Sequence, residues 1–243
     1  MRQDTVRQNL EQTDPFGVHT KRLQAIGALL PETSVLADIG ADHARLLTDL
    51  VQSGKIEKGI GVEVVRGPYE RAKANVAALG LEDKIEIRLG DGLAPLAQGE
   101  AGACAIAGMG GKTITDILAR SPEKAKGFSH LLLQPMNGEG AVRRYLQQRG
   151  WRICKEAIAE ERGLLYAILL CAPGKMAPLS REEAEFGPLL LKERPPLLEG
   201  LIKQRISGLR GIIPQLDKAQ AQKGILRRKE LEELAAAWEA LLQ

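Results

Sequence analysis

Residues 35–44, Val-Leu-Ala-Asp-Ile-Gly-Ala-Asp-His-Ala, set the strongest constraint on what this chain can fold into. Residues 35–39 are apolar enough for a buried strand, interrupted only by Asp38, and Gly40 ends the run. A helical pattern begins at about Asp42 and carries Leu46, Leu47, Leu50 and Val51. A strand that turns into a helix at a glycine lets the backbone approach a ligand closely. It also brings the free N–H groups of the first helical turn to the same point. Asp38 adds an acceptor for an ammonium or a hydroxyl. Asp42, at the helix start, reads equally well as an N-cap. The stretch reads as a crevice for a nucleotide cofactor.

The surrounding pattern alternates. A short helix over residues 20–30 ends at Pro31. Strands are expected at residues 59–64, 85–89, 103–107 and 129–133, with helices between them that open at Gly67-Pro68, after Gly108-Met109-Gly110-Gly111 and after Gln134-Pro135. Strands alternating with helices predict a parallel sheet covered on both faces. The ending differs. Residues 151–159 and 164–171 both read as strands and are joined only by Glu160-Glu161-Arg162-Gly163, a link too short for anything but an antiparallel pair. An open α/β sheet closing in such a hairpin is the outline of a class I, Rossmann-like methyltransferase. A plain dinucleotide-binding fold would close with another crossover helix and a parallel strand.

Composition narrows the function. Aromatic residues make up 3% of the chain, which argues against a binding face of stacked rings. The formal charge of +3 permits nucleic acid as a partner without demanding it. Cys104, Cys154 and Cys171 form no C-x-x-C pair, and His19, His43 and His130 are scattered, so no metal is expected. No apolar run approaches the length of about 18 residues that reads as membrane-spanning. Residues 1–17 are polar and acid-containing, unlike a signal peptide. A cytoplasmic protein with no membrane association is expected.

Three segments follow. Residues 1–17 read as a polar lead-in, 18–173 as the α/β domain, and 174–243 as an all-helical domain. In the last, Leu197, Leu198, Leu201, Ile202, Ile206, Leu209, Ile212, Ile213 and Leu216 recur at three- and four-residue intervals. A second helix carries Ile225, Leu226, Leu231, Leu234, Trp238, Leu241 and Leu242. With a turn near Gly224 these make a helical hairpin or short coiled coil. Residues 174–243 hold 12 Lys and Arg against 10 Asp and Glu, and Arg227-Arg228-Lys229 is the most basic spot. A solvated helix face and a phosphate-contacting tail both fit. The oligomeric state is left open.

In an open α/β sheet, ligands bind beyond the carboxyl ends of the strands. Residues 38–42, Glu63, Asp91, 108–111 and 134–137 stand there. A nicotinamide cofactor needs three glycines in G-x-G-x-x-G. Here Gly40 stands alone, and Asp42 would meet the pyrophosphate with like charge. S-adenosyl-L-methionine has no phosphate and carries a sulfonium and an ammonium, so acids near Gly40 attract it. Glu63 is placed to accept both ribose hydroxyls, and Asp91 to accept from the adenine amino group. Ile39, His43, Val64, Gly92 and Ala107 flank these positions and complete the candidate cofactor set. The glycines after the fourth strand leave room for a flat group and free N–H groups to hold it.

Several stretches then occur together in order: 38–44, 61–69 (Gly-Val-Glu-Val-Val-Arg-Gly-Pro-Tyr), 89–93 (Leu-Gly-Asp-Gly-Leu), 106–111 (Ile-Ala-Gly-Met-Gly-Gly) and Leu133-Gln134-Pro135. In combination they resemble the bacterial tRNA (adenine-22-N1)-methyltransferase family, TrmK, from about Thr20 to Ala172 and more loosely through the helical tail. Family members often place Asn directly after Gln-Pro, where this chain has Met136 and then Asn137. The resemblance implies methyl transfer to N1 of an adenine in the tRNA D-arm. Asp42, Gly108, Met109, Gly110, Gln134, Pro135 and Asn137 would form the target-base pocket. Arg45, Arg66, Lys112, Arg143 and Arg144 are candidates for phosphate contacts. The alternatives are a methyltransferase for a small molecule or protein, and a non-catalytic RNA-binding module on the same fold.

Overall fold

Parallel strands that are apolar on both faces are stable only between two layers of helices, and the chain builds that arrangement. The computed structural model describes residues 20–216 and 222–243. Its strands are β1 (Val35–Ile39), β2 (Lys58–Glu63), β3 (Ile85–Leu89), β4 (Ala103–Met109), β5 (His130–Pro135), β6 (Trp151–Glu161) and β7 (Leu164–Pro173). They form one sheet in the order β3-β2-β1-β4-β5-β7-β6. β1 to β5 pair in parallel, and β7 runs antiparallel to both β5 and β6. The expected fold class therefore holds, with strand ends within about two residues of expectation.

Helices α1 (Lys21–Leu29), α2 (Arg45–Gln52) and α3 (Arg66–Ala78) cover one face. Their Ile26, Leu47, Leu50, Ala72 and Val76 pack on Leu36, Ala105, Leu132 and Ile168 of the strands. Helices α4 (Gly111–Arg120), α5 (Pro122–Lys126) and α6 (Glu139–Gln148) lie on the other face, where Ile114, Leu118, Val142 and Leu146 meet Ile39, Ile106, Leu133 and Leu169. Neighbouring residues of β1 alternate between the two clusters, as the pleat requires. Thr20 caps α1, its side chain accepting the Leu23 N–H.

The remaining helices are α7 (Arg181–Phe186), α8 (Pro188–Glu193), α9 (Leu198–Leu216) and α10 (Gln222–Ala240). Ser180 and Glu183 form a capping box at the start of α7. Phe186, Leu190, Leu198, Ile202, Ile206, Leu234 and Trp238 join the cluster under α4 and α6, and the Phe186 and Trp238 rings meet edge-on at 5.0 Å. Arg194, just before α9, bonds the Leu241 carbonyl just after α10, so the two long helices run antiparallel. Gly224 lies inside α10. The connection, residues 217–221, and the lead-in 1–17 lie outside the described residues.

Two local expectations change. The hairpin joining β6 to β7 has only two linking residues, because the strands extend through Glu161 and from Leu164. Arg162 (φ 52°) and Gly163 (φ 77°) both take the left-handed backbone that a two-residue turn between twisted strands demands. The helix expected from Asp42 begins at Arg45, and no side chain caps it.

Arg143, expected as a phosphate contact, is instead fully buried. Its Nε pairs with Glu156 at 2.9 Å, and Nη1 donates to the Ala184 and Glu185 carbonyls. Glu156 in turn accepts the Leu189 N–H at 2.9 Å. Removing one partner of such a pair leaves an uncompensated charge in the interior. Glu156→Ala is expected to destabilise the protein by about 3–5 kcal/mol, measured by urea denaturation. The double variant Arg143→Met, Glu156→Gln should regain most of that loss, since Gln still accepts from Leu189.

Candidate active site

Because β2 and β3 lie on one side of β1 and β4 lies on the other, the strand order reverses between β1 and β4. That reversal opens a crevice at their carboxyl ends. A cleft of about 430 Å³ lies there, with Asp38, Gly40, Ala41, Asp42, Ala107, Gly108 and Met109 in its floor and walls. Thr20, Arg22 and Leu23 of the α1 region and Glu161 and Arg162 of the β6–β7 hairpin close over it.

Gly40 has φ +75°, and a Cβ there would come within 2.3 Å of the Met109 Cε. The Met109 methyl could swing aside, so it is the left-handed backbone at this position that favours glycine. The chain then makes a single tight turn, Asp42–Ala44, in which φ is 23°, 55° and 54° at successive residues. Besides the Ala44 N–H bond to the Ala41 carbonyl that closes it, two bonds from outside hold it: Asp42 N–H donates to Glu63 Oε1 at 2.6 Å, and Asn75 Nδ2 donates to the His43 carbonyl at 2.7 Å. Asp42 therefore contributes its N–H, and its exposed side chain caps nothing. His43 points a half-exposed ring toward Asp42 at 3.7 Å.

The acids at the strand ends differ in environment. Asp38 is buried, and desolvation together with the nearby Glu63 charge pushes its pKa up to about 7. Burial also raises the Glu63 carboxyl, against the Asp42 N–H bond that favours its charged form. Asp91 stands in the open, paired with Arg120 at 2.9 Å, while Gly92 (φ +55°) packs beside Ile117. Val64 is exposed beside Glu63. Ile39 points into the core, so only its backbone faces the crevice.

The loops after β4 and β5 are laced together. Met136 N–H donates to the Met109 carbonyl at 2.8 Å and Gly111 N–H to the Asn137 carbonyl at 2.9 Å. A Cβ on Gly111 would lie 2.7 Å from the Gly138 carbonyl oxygen, so the glycine run permits this contact. Asn137 packs on Gly110. Gln134, wholly buried, accepts the Gly108 N–H at 3.1 Å and donates to the Pro135 carbonyl at 2.9 Å. The seven residues expected at the base pocket thus divide between a laced pair of loops and Asp42 across the cleft.

Several cleft residues escaped the sequence reading, Arg22, Glu161 and Arg162 among them. Arg22 donates from Nη1 to Gln134 Oε1 at 2.5 Å and from Nε to Glu161 Oε2 at 2.9 Å. Arg162 stands at the hairpin tip. Separations of 112 and 139 residues divide Arg22 from its partners, and no local pattern marks such contacts. Of the basic residues expected at phosphates, Arg45 lines the cleft, and Arg66 and Lys112 sit in surface pairs with Glu70 and Asp116. Arg144 is exposed. Among the described residues no group of His, Cys, Asp or Glu side chains is arranged to hold a metal, and no helix is long and apolar enough to cross a membrane.

A cationic ligand suits this cleft. Asp38 is a buried acid that pays for ionisation by desolvation, and a positive group beside it would restore the carboxylate. Asp42 and Glu161 stand in the same walls, balanced by Arg22, Arg45 and Arg162, so the acid that selects for a cation is the buried Asp38 in the floor. A pyrophosphate at Gly40 would meet Asp38 with like charge. The residues present therefore fit a sulfonium and ammonium donor.

Comparison with known proteins agrees. The family model described as TrmK: tRNA (adenine(22)-N(1))-methyltransferase matches residues 36–236. A tRNA (adenine(22)-N(1))-methyltransferase of Bacillus subtilis (strain 168) is 34% identical over 232 residues, covering 91% of this chain and 94% of that protein. The Streptococcus pneumoniae protein Sp1610, solved in complex with S-adenosyl-L-methionine, is 35% identical with a TM-score of 0.83, covering 93% of this chain and 100% of that one. The crystal structure of the B. subtilis M1A22 tRNA methyltransferase TrmK, 31% identical, gives a TM-score of 0.83 over 93% of this chain and 99% of that one. With the family model spanning most of its length and a relative above 30% identity covering nearly all of it, this chain belongs to the TrmK family of tRNA (adenine(22)-N(1))-methyltransferases.

Proposed function

We propose that this protein transfers a methyl group from S-adenosyl-L-methionine to N1 of adenine 22 in the D-arm of tRNA. The observation that carries the reading is the cleft at the strand-order reversal, with the buried Asp38 in its floor, in a chain that belongs to this family. S-adenosyl-L-methionine supplies the electrophilic methyl group. Asp38 and the bare backbone at Gly40 would hold its cationic end, with Ile39, His43 and Ala107 adjoining. Glu63 would accept ribose hydroxyls beside the exposed Val64, and Asp91 and Gly92 would face the adenine ring. Asp42, Gly108, Met109, Gly110, Gln134, Pro135 and Asn137 would receive the target base.

The chemistry asks little of a general base. Adenine N1 carries an in-plane lone pair and is not protonated at neutral pH. The protein's work is to align N1 with the methyl group and exclude water. N1 lies on the Watson–Crick edge, so the target must be unpaired or extruded from its stack before it can enter. The helical segment 174–243 would contact the tRNA body. In support, Arg227, Arg228 and Lys229 are exposed in α10, where they pair with Glu230, Glu232 and Glu233 of the same helix. Surface pairs of this kind are worth little and exchange readily for phosphate. An enzyme with this substrate works in the cytoplasm, where tRNA matures.

Incubating the protein with tRNA and the methyl donor, then digesting to nucleosides, should yield 1-methyladenosine by mass spectrometry. None above the protein-free control overturns the reading. Glu63→Ala should weaken donor binding about 10- to 100-fold in a protein folded by circular dichroism, and calorimetry showing unchanged affinity would sink that role. The pH dependence has a definite sign. Asp38 holds a proton below about 7 in the free protein, and a cationic donor favours its carboxylate. Affinity should therefore fall as pH drops through 7, by up to about tenfold per unit, and Asp38→Asn should flatten the profile while lowering it.

A further inference from the structure

The β6–β7 hairpin places Glu161, with one buried and unpartnered carboxylate oxygen, in the wall of the cleft. Glu161 ends β6, immediately before the two-residue turn. Its Oε2 accepts from Arg22 Nε, whereas its Oε1 is buried and has no hydrogen-bond partner among the described residues. Leaving a buried charged acceptor bare is costly, so the oxygen is set for a donor that arrives with a ligand. Burial pushes the Glu161 carboxyl up, but hydrogen bonding from Thr20 and Arg22 and the charges of Arg22 and Arg162 outweigh it, leaving the group below the usual carboxylate range. It is an anion at neutral pH. Glu161 lines the cleft together with Gly108 and Met109, the side assigned above to the base.

We propose that Glu161 Oε1 accepts an N–H from the exocyclic amino group of the target adenine, and so stabilises the charge that methylation creates. This rests on the methyl-transfer reading given above. In that transfer the N1 lone pair forms the new N–C bond, the C–S bond breaks with its electron pair left on sulfur, and no proton departs. The adenine ring becomes a cation whose charge is shared across N1, C6 and the exocyclic nitrogen. Its N–H grows more acidic along the reaction, so a bond to a fixed anion strengthens toward the transition state. The same oxygen discriminates among bases. Guanine presents a carbonyl at the corresponding position, and two acceptors would face one another without a proton. Arg22 is then a positioning residue. It spans Glu161 Oε2 and Gln134 Oε1, and Gln134 also takes the Gly108 N–H, so one guanidinium fixes the acceptor and the pocket floor together.

The test uses full-length tRNA carrying either adenosine or purine riboside at the target position. Purine keeps N1 and lacks the amino group. Wild-type protein should methylate the purine RNA about 10- to 100-fold more slowly than the adenosine RNA. Glu161→Gln should slow the adenosine reaction by a similar factor while changing the purine reaction by less than about twofold. Donor affinity by calorimetry and melting temperature should stay at wild-type values. Equal losses on both RNAs would reduce Glu161 to a support for Arg22 and overturn the proposal, as would a fall in donor affinity that matches the loss in rate. Should Glu161→Gln melt early, Glu161→Asp, which keeps the charge but withdraws the oxygen, takes its place: a greater loss on the adenosine RNA is expected, and equal losses on the two RNAs overturn the proposal. A wild type inactive on the adenosine RNA would overturn the methyl-transfer reading itself, a distinguishable result.

Discussion

The carboxylate of Glu63, at the end of β2, accepts the Asp42 N–H at 2.6 Å, and the ligand-facing edge of β1 depends on that bond. Past Gly40 the chain passes through three non-glycine residues with positive φ, each disfavoured by about 1–2 kcal/mol for an L-residue. A turn of this kind persists only where its surroundings over-determine it. Glu63 holds its first N–H, and Asn75 of α3 holds the His43 carbonyl at its centre. The same Glu63 charge helps raise the pKa of Asp38. One side chain thus shapes the backbone of the cleft and tunes the acid at its floor.

The opposite wall is built by different means. There the constraint is distance: the β4 and β5 loops approach so closely that a Cβ on Gly111 would strike the Asn137 and Gly138 carbonyls. Main-chain bonds between residues 109 and 136 and between 111 and 137 then join two loops that are remote in sequence. A pocket whose walls are bonded to one another loses little further entropy when a base enters, which is what a reaction limited by alignment requires.

The central β/α pattern was legible because periodicity and glycine breaks are local signals. Residues 35–39 and 85–89 are strands with the expected bounds, and the short hairpin link did force antiparallel strands. The positions of Asp38 and Glu63 near the carboxyl ends of β1 and β2 were legible too, because each stands at or beside the end of an apolar run. What stayed hidden was of two kinds. Positive φ at Asp42 to Ala44 replaces the expected helix start, because Glu63 supplies a tertiary bond that no local propensity contains. Arg22 and Glu161 meet only when α1 folds across the carboxyl ends of the sheet, and their sequence separation erases any pattern. Arg143 misled for the reverse reason: a charged residue near a loop reads as exposed until α7 and β6 enclose it.

That enclosure bears on how the helical segment relates to the base pocket. Glu139, buried at the first position of α6, follows directly on the loop 134–138 and pairs with Arg205 of α9. Arg205 also lies 3.9 Å from Glu185 of α7, itself backed by Arg143. Buried ion pairs are weak evidence for stability, but they penalise any arrangement that separates them. Sliding α9 by one turn, about 5.4 Å, would strand Glu139 without its partner. Helix α9, and α10 packed on it, is therefore held at one register relative to the loop proposed to receive the base. A tRNA gripped along α9 and α10 would then present its D-arm at a fixed distance from Gln134, so reach as well as base identity would select the adenine that is modified.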